Sequence, residues 1–339
     1  MSYTENYQKW LDFAELPAYL RDELVAMDEK TKEDAFYTNL EFGTAGMRGL
    51  IGAGTNRINI YVVRQATEGL AQLIDSKGEE AKKRGVAIAY DSRHFSPEFA
   101  FESAQVLAAH GIKSYVFESL RPTPELSFAV RHLHTFAGIM VTASHNPAPF
   151  NGYKVYGEDG GQMPPADADA LTDYIRAIEN PFTVQLAELE ESKASGLIEV
   201  IGENVDAEYL KEVKGVNINQ DLINEYGRDM KIVYTPLHGT GEMLARRALA
   251  QAGFEAVQVV EAQAVPDPDF STVKSPNPEN QEAFALAEEL GRKVDADVLV
   301  ATDPDADRLG VEIRQPDGSY LNLSGNQIGA IIAKYILEA

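Results

Sequence analysis

The sequence predicts an α/β protein built as tandem three-layer α/β/α sandwich domains with mostly parallel sheets. Short apolar runs such as VAIAY (86–90), GIMVTA (138–143) and KIVYT (231–235) are separated by segments of helical periodicity. The pattern occurs twice, once before residue 144 and once between residues 231 and 302. A chain of 339 residues also exceeds one ordinary hydrophobic core, so two or three domains are expected.

Residues 1–40 are expected to form a helical extension, with Trp10, Leu11, Phe13, Leu16 and Leu20 as its apolar face. The Gly-rich segment FGTAGMRGLIGAGTNRIN (42–59) follows, then a helix over 60–77. The strand VAIAY leads into Asp91-Ser92-Arg93. A helix is predicted to start at Ser96 as N-cap, with Pro97 in its first turn, and to stop at Gly111. KSYVFE (113–118) and GIMVTA are the next strands, the latter ending directly at Ser144. Residues 181–228 are more acidic and less regular, which puts a boundary near Asn204 and a first domain over 41–203.

The second domain, 204–316, begins with KIVYT and the loop Pro236-Leu237-His238-Gly239-Thr240-Gly241. A helix through Met243, Leu244, Ala248 and Leu249 ends near Gly253. AVQVVE (256–261), a helix around 281–290 and DVLVAT (297–302) complete it. Residues 317–339 are expected to start a third, truncated domain, because NQIGAIIAKYILEA (326–339) reads as an amphipathic helix with nothing after it to cover its apolar face.

Fifty-three acidic against 30 basic residues give a formal charge of −23. That balance repels nucleic-acid phosphates and anionic membranes, so neither is an expected partner. It also disfavours phosphorylated small molecules unless cations gather locally in a cleft. No apolar run approaches the roughly 20 residues of a membrane span, and the start lacks the pattern of a secretory signal. There is no cysteine, which excludes disulfides and thiolate metal sites; a cytoplasmic location is expected.

The clearest chemical signal is Asp303-Pro304-Asp305-Ala306-Asp307-Arg308, directly after an apolar strand. Three carboxylates at alternate positions of an extended loop can converge on a hard cation, Mg²⁺ before Mn²⁺ or Ca²⁺. Strand C-termini are where open α/β sheets bind ligands. An EF-hand is excluded, since its sixth and twelfth positions would be Arg308 and Arg314 instead of Gly and Glu. A solvated acidic turn is the other reading. Thr142-Ala143-Ser144-His145-Asn146-Pro147 likewise follows a strand, exposing a serine beside a histidine able to take or give a proton. It lacks the Gly-x-Ser-x-Gly elbow of acyl transfer, and by itself it also fits a turn.

Asp91-Ser92-Arg93 is placed to shape the serine loop without touching substrate. Arg121-Pro122-Thr123-Pro124 reads as a stiff structural turn. His238-Gly239-Thr240-Gly241 precedes a helix without a P-loop lysine, so it reads as strand-to-helix turn chemistry, with phosphate binding as the alternative. His94, His110, His132 and His134 have no nameable partner in the sequence and are read as structural.

TASHNP (142–147) with NGYK (151–154) resembles the phosphoserine loop of the α-D-phosphohexomutase family. DPDADR resembles the metal loop of that family, and FGTAGMRG (42–49) its first active-site segment. The form TAGMRG is most similar to the branch containing phosphoglucomutases and phosphopentomutases. The resemblance implies sandwich domains of the phosphohexomutase type, with domain I carrying the phosphoserine and domain II the metal. It implies that Ser144 carries the phosphoryl group and that Ser144, Asp303, Asp305 and Asp307 hold Mg²⁺. Arg48, Lys154 and Arg308 become catalytic and substrate-binding cations, and His145 a candidate acid/base. The implied reaction interconverts glucose 1-phosphate and glucose 6-phosphate through a bisphosphate, primed by glucose 1,6-bisphosphate. Phosphomannomutase and phosphopentomutase activities stay open, because sugar recognition belongs to C-terminal domains expected as partners from the same chain. A metal-dependent sugar-nucleotide transferase and a non-catalytic phosphosugar-binding module are the rival classes.

Overall fold

A computed structural model describes residues 2–43 and 46–338, so Thr44 and Ala45 of the FGTAGMRG segment lie outside the described residues. The chain starts with three short helices, α1 (Tyr3–Asp12), α2 (Ala18–Ala26) and α3 (Glu29–Phe36), where the sequence reading gave one helical stretch. Capping explains the breaks. Ser2 and Glu5 form a reciprocal capping box on α1, and Asp28 accepts from the Thr31 amide to start α3. Trp10 is 2% exposed and packs edge-on against Phe36, Tyr61 and Phe182, which fastens this extension to the first sandwich.

Strand β1 (Met47–Leu50) leads to α4 (Ile60–Lys77), which Asn59 caps by accepting from the Tyr61 and Val62 amides. Then come α5 (Glu79–Arg84), β2 (Val86–Tyr90), α6 (Ser96–Ala109), β3 (Ser114–Phe117), α7 (Thr123–His132), β4 (Ala137–Val141) and β5 (Phe150–Tyr156). After α8 (Pro165–Ala177) and α9 (Leu189–Ser195), β6 (Ile198–Ile201) completes a six-stranded sheet of order β1-β5-β4-β2-β3-β6. Separate apolar cores fill its two faces. One is built on Leu70, Ile74, Phe99, Leu107 and Leu171, the other on Leu126, Val130, Met140 and Val205. This is the three-layer arrangement.

Helices α10 (Glu203–Gly215) and α11 (Gln220–Tyr226) lead to the second unit, and α10 packs on both α7 and the later α12. That unit contains β7 (Ile232–Thr235), α12 (Gly241–Ala252), β8 (Val257–Val259), α13 (Glu261–Ala264), α14 (Ala285–Val294), β9 (Val298–Thr302), β10 (Leu309–Arg314) and β11 (Tyr320–Leu323). Its five strands run β11-β10-β9-β7-β8. β11 pairs with β10, and Tyr320 packs into the core of the second unit with Val233, Phe284 and Leu299. Helix α15 (Gly325–Glu338) forms as expected, with Ile331, Ile332, Tyr335, Ile336 and Leu337 exposed.

Parallel pairings outnumber antiparallel ones, five to four, as expected, and each sheet carries an antiparallel edge. β4 and β5 are antiparallel, as are β9 and β10, because residues 142–149 and 303–308 are too few for a crossover helix. The strand direction therefore reverses at the serine loop in one sheet and at the acidic loop in the other. The start of α6 differs from the expected one. Phe95, with φ of 65°, occupies the N-cap position, while the Ser96 hydroxyl donates to Asp91 instead of capping the helix.

His110 has partners after all. Its ring lies between Asp75 (2.7 Å) and Glu68 (2.9 Å), two turns apart on one face of α4. The bond to Glu68 is the largest effect raising its pKa to about 9, against burial. A histidine raised above its unfolded value stabilises fully below about pH 6.5, and this contribution is lost as pH rises towards 9. Urea unfolding of His110→Gln should therefore show a deficit against the parent at pH 6 that shrinks by pH 9. A deficit independent of pH would refute this assignment of charge.

Candidate active site at the seam of the two units

The serine loop after β4 and the acidic loop after β9 meet through Ser144 and Asp303. Ser144 is 2% exposed and has φ of 53°, a left-handed backbone uncommon for a residue with a side chain. Its Oγ donates to Asp303 Oδ2 at 2.7 Å and lies 3.1 Å from His145 Nδ1. Burial, then Arg308 and Arg48, hold His145 below its ordinary pKa, which favours a neutral ring able to accept a proton.

Lys154 reaches across the seam from β5. Its ammonium is 2.8 Å from Asp305 and 3.5 Å from Asp307, with a side chain 1% exposed. Burial opposes the charge, but Asp305, Tyr156 and Asp307 keep its pKa raised. Arg48, on β1, reaches Asn146 Oδ1 at 3.4 Å. The Arg308 amide donates to Asp303 at 3.0 Å, while its half-buried guanidinium lies 3.6 Å from Glu279. All the site residues read from the sequence thus fall in one region, with Arg48 and Arg308 at its rim.

The acidic loop also has the features of a cation site. Asp303, Asp305 and Asp307 each offer an oxygen within 4.8 Å of the others. Asp303 is pushed up to about 9, first by burial and then by Asp305 and Asp307. Burial also works against the Asp305 charge, but Lys154 and hydrogen bonds hold that carboxyl below its usual range. Asp305 Oδ1 is buried without a hydrogen-bond partner among the described residues. Three clustered carboxylates with an unpaired buried oxygen and only hard donors fit a hard divalent ion.

Other segments brace this arrangement. The Thr123 amide donates to the Asp305 carbonyl at 2.9 Å and its hydroxyl to Asp305 Oδ2 at 3.1 Å, so the stiff turn 121–124 also binds the acidic loop. Behind it Arg121 pairs with Asp206 through two 2.8 Å bonds, and the fully buried Glu125 lies 3.7 Å away. The Thr240 amide donates to the Pro304 carbonyl at 2.8 Å, and a Cβ on Gly239 would stand 2.4 Å from Pro304 Cα. His238 bonds to the Val265 carbonyl and Thr272, so this turn is tied up in packing.

Comparison with known proteins gives the family of this fold. Residues 39–182 match the model of phosphoglucomutase/phosphomannomutase α/β/α domain I, and residues 207–316 that of domain II. The chain belongs to the phosphoglucomutase/phosphomannomutase family. It is 40% identical over 330 residues to a phosphoglucomutase of Staphylococcus epidermidis, covering 97% of this chain and 58% of that one. A Thermus thermophilus structure with a provisional phosphomannomutase assignment superposes with a TM-score of 0.72 at 26% identity, over 89% of this chain and 62% of that one. Paramecium parafusin, at 20% identity and a TM-score of 0.61, shares the fold over 82% of this chain and 53% of its own. The chain thus spans a little over half the length of the curated relatives it matches. Among the described residues, no helix is long and apolar enough to cross a membrane.

Proposed function

We propose that this chain supplies the phosphoserine and metal-binding parts of a phosphoglucomutase that interconverts glucose 1-phosphate and glucose 6-phosphate in the cytoplasm. The observation that carries the proposal is the 2.7 Å contact of Ser144 Oγ with Asp303 across the seam. A serine held against a carboxylate cluster is poised to bear a phosphoryl group only if a cation neutralises the cluster. Asp303, Asp305 and Asp307, with a phosphate oxygen on Ser144, would hold Mg²⁺, which spreads the negative charge of the transferring group.

In the forward step the bond between phosphorus and Ser144 Oγ breaks as a free hydroxyl oxygen of the sugar monophosphate bonds to phosphorus. Neutral His145 takes the hydroxyl proton and returns it to the departing Ser144 Oγ, 3.1 Å from its Nδ1, leaving the serine hydroxyl. The bisphosphate turns round, and Ser144 Oγ attacks its other phosphorus, restoring the phosphoserine and releasing the isomer. Lys154, Arg48 and Arg308 orient the phosphates and stabilise charge on the equatorial oxygens. Glucose 1,6-bisphosphate primes the unphosphorylated serine. Further domains of the same polypeptide complete the sugar site.

The test is incubation with Mg²⁺ and glucose 1,6-bisphosphate followed by peptide mass spectrometry, with Ser144→Ala as control. It is run on residues 1–339 and on the chain extended to the length of its relatives. Phosphate on Ser144, absent from the variant, is the expected result. An extended chain that neither carries phosphate as purified nor acquires it would sink the mutase reading and favour a nucleotide-sugar transferase. The same extended chain, offered mannose and pentose phosphates, decides the sugar.

A further inference from the structure

Four carbonyls of the serine loop and the start of β5, those of Ser144, Asn146, Pro147 and Phe150, converge on one point, and that of Pro147 also accepts from the Phe150 amide at 3.1 Å. Buried carbonyls left unpaired are costly. All four are met by one side chain, Arg93, whose Nη1 donates to Pro147 (3.0 Å) and Phe150 (2.9 Å) and whose Nη2 donates to Ser144 (2.6 Å) and Asn146 (2.5 Å). Its Nε forms an ion pair with Asp91 at 3.3 Å, without a hydrogen bond among the described residues.

Asp91 extends the same scaffold. Its Oδ2 accepts from Thr142 Oγ1 at 2.6 Å, and that oxygen accepts from the Ser144 amide at 2.8 Å. The nucleophile is therefore gripped at both ends of its residue, the amide through Thr142 and the carbonyl by Arg93. The loop 265–280 of the second unit backs this grip. Phe270 is 2% exposed and lies 4.9 Å under the guanidinium. Asp269 is 2.8 Å from His94, and Ser275 Oγ is 3.5 Å from the His145 carbonyl.

We propose that Arg93 is a positioning residue that holds Ser144 in its left-handed, reaction-ready conformation, and that Phe270 links this hold to the docking of the second unit. The proposal rests on Ser144 being the phosphoryl carrier. It assigns Arg93 no contact with substrate, since the side chain is fully enclosed. A lysine keeps the charge but offers a point of three donors, which cannot span four carbonyls and a carboxylate. The loop then loosens around Ser144 while the cations that bind phosphate stay in place.

The test is the rate of Ser144 phosphorylation by glucose 1,6-bisphosphate in the extended chain, measured against bisphosphate concentration for the parent, Arg93→Lys and Phe270→Leu. Arg93→Lys should lower the maximal rate about 100-fold, the loss expected from an ångström-scale misplacement. The half-saturating concentration should stay within about threefold, because ground-state binding is untouched. Phe270→Leu should lower the same rate about tenfold through the lost stacking. A parent that never labels at Ser144 removes the carrier reading, and this proposal with it. A parent that labels, beside variants that unfold at lower temperature but keep its maximal rate, overturns the role of Arg93 alone. Should Arg93→Lys fail to fold, Phe270→Leu decides by the same criterion.

Discussion

Lys154→Met is expected to destabilise the metal-free chain by about 3–5 kcal/mol, the usual consequence of removing one partner of a buried ion pair. The ammonium is the countercharge of Asp305 at 2.8 Å and of Asp307 at 3.5 Å, and its side chain is 1% exposed. Without it the three acids lose the ammonium that contacts two of them. Methionine fills similar volume, so packing is not the cause of the loss. The same substitution should tighten Mg²⁺ binding at least about tenfold, since a neighbouring positive charge no longer opposes the dication. Mg²⁺ should therefore raise the melting temperature of the variant more than that of the parent. Turnover in the extended chain should still fall by about 10²–10³, the usual effect of losing one preorganised electrostatic contact. Thermal unfolding across a Mg²⁺ titration separates the effects. If Mg²⁺ bound more weakly to the variant, Lys154 would be organising the site rather than competing for it.

The joint behind the acidic loop gives the second large effect, and it appears only in combination. Arg121 makes two 2.8 Å bonds to Asp206, and the buried Glu125 stands 3.7 Å away. Burial, then Asp206, pushes Glu125 up to about 9, so it is neutral at pH 7. In Asp206→Ala the carboxylate that adds to burial in keeping Glu125 protonated is gone and Arg121 loses its nearest carboxylate, so Glu125 ionises and replaces it. That variant should lose about 1–2 kcal/mol, in the range of a buried hydrogen bond lost. Glu125→Gln alone should change stability by less than about 1 kcal/mol at pH 7, while the double variant should lose about 3–5 kcal/mol. Equal losses for the single Asp206 variant and the double one, in urea titrations, would show that Glu125 does not substitute. An acid raised in the folded state favours folding most below its unfolded pKa of about 4.5, and that advantage is lost as pH rises towards 9.

What the sequence disclosed, and what it hid, follows from where the partners lie. Helix 60–77 was legible because Asn59 caps it and its apolar face repeats, and VAIAY because all five residues are buried. Strand β5 was not, because Asn151 and Lys154 interrupt its apolar run; their charge and polarity are satisfied by other segments of the chain. The three aspartates advertised a site through their own side chains. Arg93 gave only its position at a strand end, since backbone carbonyls are its acceptors and these leave no trace in residue type. His110 hid for a related reason: Glu68 and Asp75 are seven apart, a shared helix face, but the ring that meets them comes from the end of the next long helix.

Trp10 is the sole tryptophan of the chain, and it sits in the aromatic cluster that joins the N-terminal helices to the first sandwich. Its intrinsic fluorescence is therefore an optical label native to one half of the molecule. Emission reports the integrity of the first unit and its extension and is silent on the sheet that carries the aspartates. Far-ultraviolet dichroism averages over both. Overlaying the two signals during unfolding tells, without any engineered probe, whether the halves melt as one body or in turn.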